Sequence, residues 1–444
     1  MIKDMTKGNP IKLMLLFSLP VLIGNIFQQI YSMVDTIIVG RYIGVEAFAA
    51  VGLTGSLNYL INGLIVGLTT GFAILVSQKF GAKKEDEIRQ AIGSAVVLSI
   101  LAAIIITVLS VLLSMPMLRI INTPENIIKD SNTYITIIFV GSGAVVAYNA
   151  ITGILRALGD SRTPLYFLIL SSFLNIFLDI VFIVNFKMGV SGAAYATIIS
   201  QGFSAILCLI YAYKKYDILR LKKEDFKLGK RFYRKHLKIA VPMALQFSIT
   251  AIGIIIIQGA LNKFGSNAIA SFTAASKALQ LAMQPGITLG ITIATYVGQN
   301  LGAENYLRIK EGVKKCANIS IITSIIAGLV LIFGAEYFVK LFIENPDKEI
   351  IAKAKECLVY AGIFFIPLGL IFIYRNALQG MGESFIPMMA GVYELIARSV
   401  VAFTLPRFIG YTGICISDPI AWIAAIIPLM YTYHKKINDL VNVK

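Results

Sequence analysis

The 444-residue sequence is 57% hydrophobic and only 14% charged, with a mean hydropathy of +0.78, whereas a soluble domain carries about 25% charged residues. These figures exclude a soluble globular chain and point to a polytopic membrane protein. The net charge of +16 does not argue for a nucleic-acid partner, because the basic residues cluster between apolar runs, where membrane topology accounts for them.

Apolar runs fall near 11–39, 46–78, 91–115, 131–155, 163–186 and 190–213, and after a polar stretch near 237–262, 266–299, 316–335, 351–378, 385–406 and 411–433. Each reaches the ~20 residues that a membrane span needs, so the expected fold is an all-α integral membrane protein of twelve transmembrane helices. The first run follows Lys3, Lys7 and Lys12 and is too long for a signal peptide, so it reads as a retained helix. Pro20 and Pro242 sit early in the first and seventh spans, at positions where each helix can kink. With the N-terminus inside, segments on that side hold 28 Lys and Arg against 10 on the other, which places both termini in the cytoplasm. Eleven of the 28 lie in Lys214–Lys238, the joint between an N-terminal lobe (1–213) and a C-terminal lobe (237–444), with 214–236 as a cytoplasmic linker.

The halves repeat. Val76-Ser77-Gln78-Lys79-Phe80-Gly81-Ala82 aligns with Val297-Gly298-Gln299-Asn300-Leu301-Gly302-Ala303, and Leu155-Arg156-Ala157-Leu158-Gly159-Asp160-Ser161 with Leu378-Gln379-Gly380-Met381-Gly382-Glu383-Ser384, at an offset of 221–223. Six spans repeated after six gives two halves of the same orientation, an architecture that suits alternating access.

In the first span Asn25, Gln28, Ser32 and Asp35 share one helical face, with Tyr31 one turn before Asp35. An ionised carboxylate at mid-membrane costs about 2.5–3.5 kcal/mol even on insertion scales, so such an acid usually holds a cation or proton. In the fifth span Asn175 and Asp179 are four apart on one face; in the sixth, Ala193, Thr197, Ser200 and Gln201 form a polar stripe. Topology puts Asp35, Asp179 and Thr197 each on the order of 10 Å below the outer surface. Two carboxylates, an amide and a hydroxyl are hard oxygen ligands suited to Na⁺. The same acids could instead trade a proton, since desolvation and a neighbouring carboxylate favour the neutral form. Polar glue between helices is the plainer alternative.

The second half does not copy this set. Position 256, facing Asp35 in the repeat, is Ile; Arg398 replaces Asn175, and Asp418 falls where Thr197 stood. Glu394 and Arg398 form an i,i+4 pair, and with Asp418 they read as a self-neutralised structural cluster, with a coupling role as the alternative. Lys277 shares a polar stripe with Gln280, Gln284 and Thr288 in the eighth span. It either pairs with an acid from another helix or lines a water-filled cavity. Gly63, Gly67 and Gly71 recur every four residues, as do Gly286 and Gly290, the pattern of close helix packing. Cys208, Cys316, Cys357 and Cys415 show no CxxC spacing, so neither a disulfide framework nor a thiolate metal site is expected. No P-loop occurs, and no histidine inside a span offers a hydrolase triad, which disfavours catalysis.

The chain resembles the multidrug and toxic compound extrusion (MATE) family. The carriers are Ser18-Leu19-Pro20, Val34-Asp35-Thr36, Gln78-Lys79-Phe80-Gly81-Ala82, Arg156-Ala157-Leu158-Gly159-Asp160-Ser161, Leu174-Asn175-Ile176-Phe177-Leu178-Asp179 and Val297-Gly298-Gln299-Asn300-Leu301-Gly302-Ala303. The resemblance implies two six-helix lobes around a central cavity, exporting cationic or amphipathic compounds against Na⁺ or H⁺ entry. Similarity to the DinF-like branch implies an ion site at Asp35, Asn175, Asp179, Thr197 and the Ala193 carbonyl, with Tyr31 nearby, and a first helix that bends at Pro20 when its acid is protonated. Asn25, Gln28, Ser32, Lys277, Gln280, Gln284, Glu394, Arg398 and Asp418 are then candidates to line the cavity. The NorM-like branch uses acids in the seventh, eighth and tenth spans; here the tenth alone has one, Glu356 near its outer end, which speaks against such a site. The expected protein is a monomeric secondary antiporter of the cell membrane, not an enzyme. It uses no cofactor and takes H⁺ or Na⁺ as coupling ion, with lipophilic cations and the bilayer as partners. Its rivals are a lipid-linked precursor flippase of the same superfamily and a non-transporting membrane sensor.

Overall fold

The computed structural model describes residues 3–226, 229–343 and 346–442; the side chain of Thr36, part of one family motif, lies outside the described set. Some 90% of the chain is helical, and there is no strand among the described residues. The helices run α1 Pro10–Tyr42, α2 Val45–Gly81, α3 Glu85–Ile120, α4 Glu125–Val140, α5 Ser142–Ala157, α6 Arg162–Asp179 with a π-helical extension Ile180–Asn185, and α7 Val190–Lys215. They continue as α8 Lys230–Leu261, α9 Gly265–Ala282, α10 Gln284–Gly302, α11 Tyr306–Phe342, α12 Lys348–Ile363, α13 Phe365–Gly380, α14 Phe385–Thr404, α15 Pro406–Ile409 and α16 Tyr411–Asn442. Helices close every backbone hydrogen bond within one segment, which is what a hydrocarbon solvent demands.

These make twelve spans. Nine stretches among the described residues are long and apolar enough on their own, and the bent pairs α4–α5 (44°) and α12–α13 (52°) bring the number to eleven. The twelfth comes from the 71-residue stretch Phe232–Gly302, which the single turn Asn262–Phe264 and Gly265 at φ +80° divide. Lipid is the solvent for the flanks. In the most apolar window of α3 only 17% of residues are buried by protein, and large apolar side chains such as Leu112, Phe173 and Phe333 stand exposed, an arrangement water would not tolerate.

The backbone repeats as the sequence does. Left-handed residues recur at the same offsets: Gly44 and Gly265, Lys83 and Glu304, Gly159 and Gly382, Gly189 and Gly410. Gly141 and Phe364 likewise break the fourth span of each half.

The chain forms two compact units: Met1–Asp4 with Leu19–Phe247, and Met5–Ser18 with Ser248–Lys444. These limits differ from the 213 and 237 boundaries read from charge and hydropathy, for identifiable reasons. Helix α8 starts at Lys230, within the expected linker, and its first half packs on α2: a Cβ on Gly67 or Gly71 would lie 2.5 or 2.4 Å from the Cα of Ala244 or Ala240. His236 is fully buried there, its Nε2 2.6 Å from Ser94 Oγ. In the second unit the backbone of Met5 is held by Gln299, which accepts its N–H at 2.8 Å, and by Asn300, which donates to its carbonyl at 3.1 Å.

Two expectations are corrected. Cys357 of α12 and Cys415 of α16 form a disulfide, with Cα atoms 4.6 Å apart; helix packing brings together residues 58 apart in sequence, which spacing motifs do not register. The polar stripe of the eighth span also divides, by burial rather than at a helix break, since the backbone stays helical through Met283. Lys277 and Gln280 are exposed on α9, whereas Gln284 and Thr288 are buried in α10.

Candidate functional site

The first unit brings together acids from α1 and α6. Asp35 sits two turns before the end of α1, and Asp179 is the last α-helical residue of α6, immediately before the π-helical turn. A π-turn inserts a residue into the helical register and is frequent at functional sites. The two carboxyl groups lie within electrostatic reach of each other. Asn175, one turn before Asp179, is 2% exposed and Asp179 is fully buried.

Among the described residues, most of their polar atoms are left unsatisfied. Asp35 Oδ1, both side-chain polar atoms of Asn175 and both carboxylate oxygens of Asp179 are buried without a hydrogen-bond partner among the described residues. Native proteins leave few such atoms, and here five occur in one place. Two neighbouring buried carboxylates repel each other when both are ionised, so a shared proton or a cation between them relieves both desolvation and repulsion.

Helix α7, which carries Ala193 and Thr197, packs on α6. Ala193 is fully buried, and its carbonyl accepts a hydrogen bond from Thr197 Oγ1 at 3.0 Å; both oxygens keep further lone pairs. Tyr31 has Gln201 of α7 and Gln28 as hydroxyl neighbours. Sequence reasoning missed Tyr134 of α4, buried and within electrostatic reach of Asp35, Asp179 and Tyr31. Its one sequence signal was a phenol near the start of an apolar run. Earlier in α1, Asn25 is half-buried and Gln28 and Ser32 are exposed, with Gln28 beside the Tyr31 hydroxyl. Pro20 lies inside α1, which is continuous through it.

In the second unit Glu394 and Arg398 are buried and Asp418 is half-buried. They are linked: Arg398 donates to Glu394 at 3.0 Å and to Asp418 at 2.7 Å, and Arg375 donates to the other Glu394 oxygen at 3.1 Å.

The MatE family model matches residues 20–181 and again 239–404, and so takes in the Asp35, Asn175 and Asp179 positions and the Glu394–Arg398 pair. The chain belongs to the MatE family. A probable multidrug resistance protein of Bacillus subtilis, YpnP, is 30% identical over 91% of this chain and 88% of its own length. Another from the same organism, YoeA, is 28% identical over 95% of this chain and 93% of its own. Among solved structures, a MATE transporter in complex with MaL6 superposes with a TM-score of 0.92 at 22% identity, covering 99% of both chains. The outward-facing conformation of a multidrug resistance MATE transporter scores 0.92 over 98% of each. The likeness to these structures establishes a shared fold. MatE proteins are transporters rather than enzymes and work by ion coupling without a cofactor.

Proposed function

We propose that this MatE chain is a secondary active efflux antiporter of the cell membrane, exporting cationic or amphipathic small molecules in exchange for H⁺ or Na⁺. The observation that carries the reading is the group of five unpartnered buried polar atoms on Asp35, Asn175 and Asp179. A transporter that must bind and release a small cation each cycle needs such a group, and a merely structural protein does not. The names of its relatives support the substrate class: two are called probable multidrug resistance proteins, and others, from Staphylococcus, multidrug export proteins.

In this reading Asp35 and Asp179 hold the exchangeable charge, and Asn175, Thr197 and the Ala193 carbonyl supply neutral oxygens. Tyr31 orders the α1–α7 side. Occupancy shifts the conformational balance only by the difference in cation affinity between states, and Pro20 is where α1 has a missing backbone donor and can respond. Cytoplasmic termini and a monomeric chain complete the proposal. The topology rests on the excess of Lys and Arg on one side.

The test is efflux of a lipophilic cationic dye from proteoliposomes under an imposed Na⁺ or pH gradient. One gradient should drive wild-type efflux, and Asp35→Asn should abolish it while leaving a monodisperse folded protein. Wild-type rates from that variant would overturn the reading.

A further inference from the structure

The repeat relates the cation site to a set of residues in the second unit that has a different composition. At offsets of 221–223, Asp35 faces Ile256, Asn175 faces Arg398, Asp179 faces Ala402 and Thr197 faces Asp418. The contributing helices correspond as well: α1, α6 and α7 in the first unit, α8, α14 and α16 in the second.

In the second unit the position of the Asn175 amide is taken by a guanidinium. Its Nε donates to Asp418 Oδ1 of α16 at 2.7 Å and its Nη2 to Glu394 Oε1 of α14 at 3.0 Å. Its Nη1 lies against the backbone of α8, where a Cβ on Gly253 would stand only 2.4 Å away. Each nitrogen of Arg398 thus faces one of the three helices that build the first unit's site. The side chain is 7% exposed and that of Glu394 10%. Isolated Arg in hydrocarbon is among the costliest side chains to bury, so a fully walled Arg398 needs the two acids around it. Arg375 neutralises the second charge by binding the remaining Glu394 oxygen.

We propose that Arg398 is a tethered counter-ion. The second unit keeps the three-helix pocket of the repeat but supplies its cation covalently, so the molecule has one exchangeable cation site instead of two. The inference rests on reading Asp35 and Asp179 as the exchangeable site. It goes further in giving Glu394 and Asp418 the role of ligands to a permanent cation, with Gly253 leaving the space for it. Removing the tether should reopen a site for a free cation of matching shape.

The probe is the guanidinium ion. Full-length wild type, Arg398→Ala and Arg398→Ala/Asp35→Asn are melted in detergent with millimolar guanidinium chloride or with choline chloride at equal ionic strength. Arg398→Ala should melt lower than wild type in choline and regain most of that loss in guanidinium, in either background, while wild type shows no such gain. A folded Arg398→Ala that does not respond to guanidinium overturns the proposal. If the variant is not recovered in choline, it is purified with guanidinium throughout. Recovery of monodisperse protein there supports the tethered ion, and failure there too counts against it. The first-unit reading fails by a different sign, an identical Na⁺ and pH dependence of melting in wild type and Asp35→Asn, and the guanidinium response does not depend on that result.

Discussion

Among single residues, Asp160 shows how a buried carboxylate is kept when nothing is transported. It lies between α5 and α6, fully buried. Its Oδ1 accepts the backbone N–H groups of Arg162 and Thr163 at 3.0 and 3.1 Å, and its Oδ2 accepts the hydroxyls of Thr163 and Tyr216. Burial disfavours its charge, but these donors outweigh burial and hold the carboxyl below its ordinary value. The contrast is with Asp35 and Asp179, the proposed cation-binding pair, whose oxygens include three with no donor among the described residues. Asp160→Ala should destabilise the protein by about 1–3 kcal/mol through donors left unsatisfied, read as a lower melting temperature in detergent. Because the folded carboxyl is depressed, its contribution is present above the unfolded pKa of about 3.9 and is lost as pH falls through the lower folded value. The melting difference between wild type and Asp160→Asn should therefore be full near neutral pH and shrink below about pH 4.

At the level of elements, close helix contact carries its own predictions. The spacing of Gly63, Gly67 and Gly71 suggested a packing face, and that face meets Phe247, Ala244 and Ala240 of α8. At Gly71 the neighbour is backbone, which has no rotamer to yield. Gly71→Val should cost about 1–3 kcal/mol by overpacking, whereas a Val at Gly143, which has nothing within 4 Å of a Cβ, should melt near wild type. Helices α12 and α16 are joined by Cys357–Cys415, while Cys208 and Cys316 are free and buried. Mass spectrometry after denaturation and alkylation should show two labelled cysteines without reductant and four with it; four in both conditions would remove the cross-link. Sequence alone missed this pair because a disulfide depends on Cβ positions across two helices, not on spacing along one.

For the molecule as a whole, the proposed antiport predicts a single kind of thermodynamic behaviour: substrate efflux coupled to one cation gradient. In proteoliposomes, an opposing gradient of the coupling ion should reverse net dye flux, and dissipating it should stop accumulation. Insensitivity of flux to both Na⁺ and pH gradients would leave a uniporter or a receptor. The twelve spans, the polar faces of α1, α6 and α7, and the internal repeat were legible in the residues because each depends on local quantities, namely apolar run length, helical periodicity and recurring Gly, Gln and Pro. Depth counted along those helices gave the expectation that Asp35, Asp179 and Thr197 share one level of the membrane. What only the tertiary structure decided is who faces whom: Tyr134 reaching the two acids, Met5 held by Gln299 across 294 residues, and the Arg398 guanidinium against Gly253. Those relations come from how helices rotate and pack once formed, and a face shared along one helix does not specify which partner from a distant part of the chain will meet it.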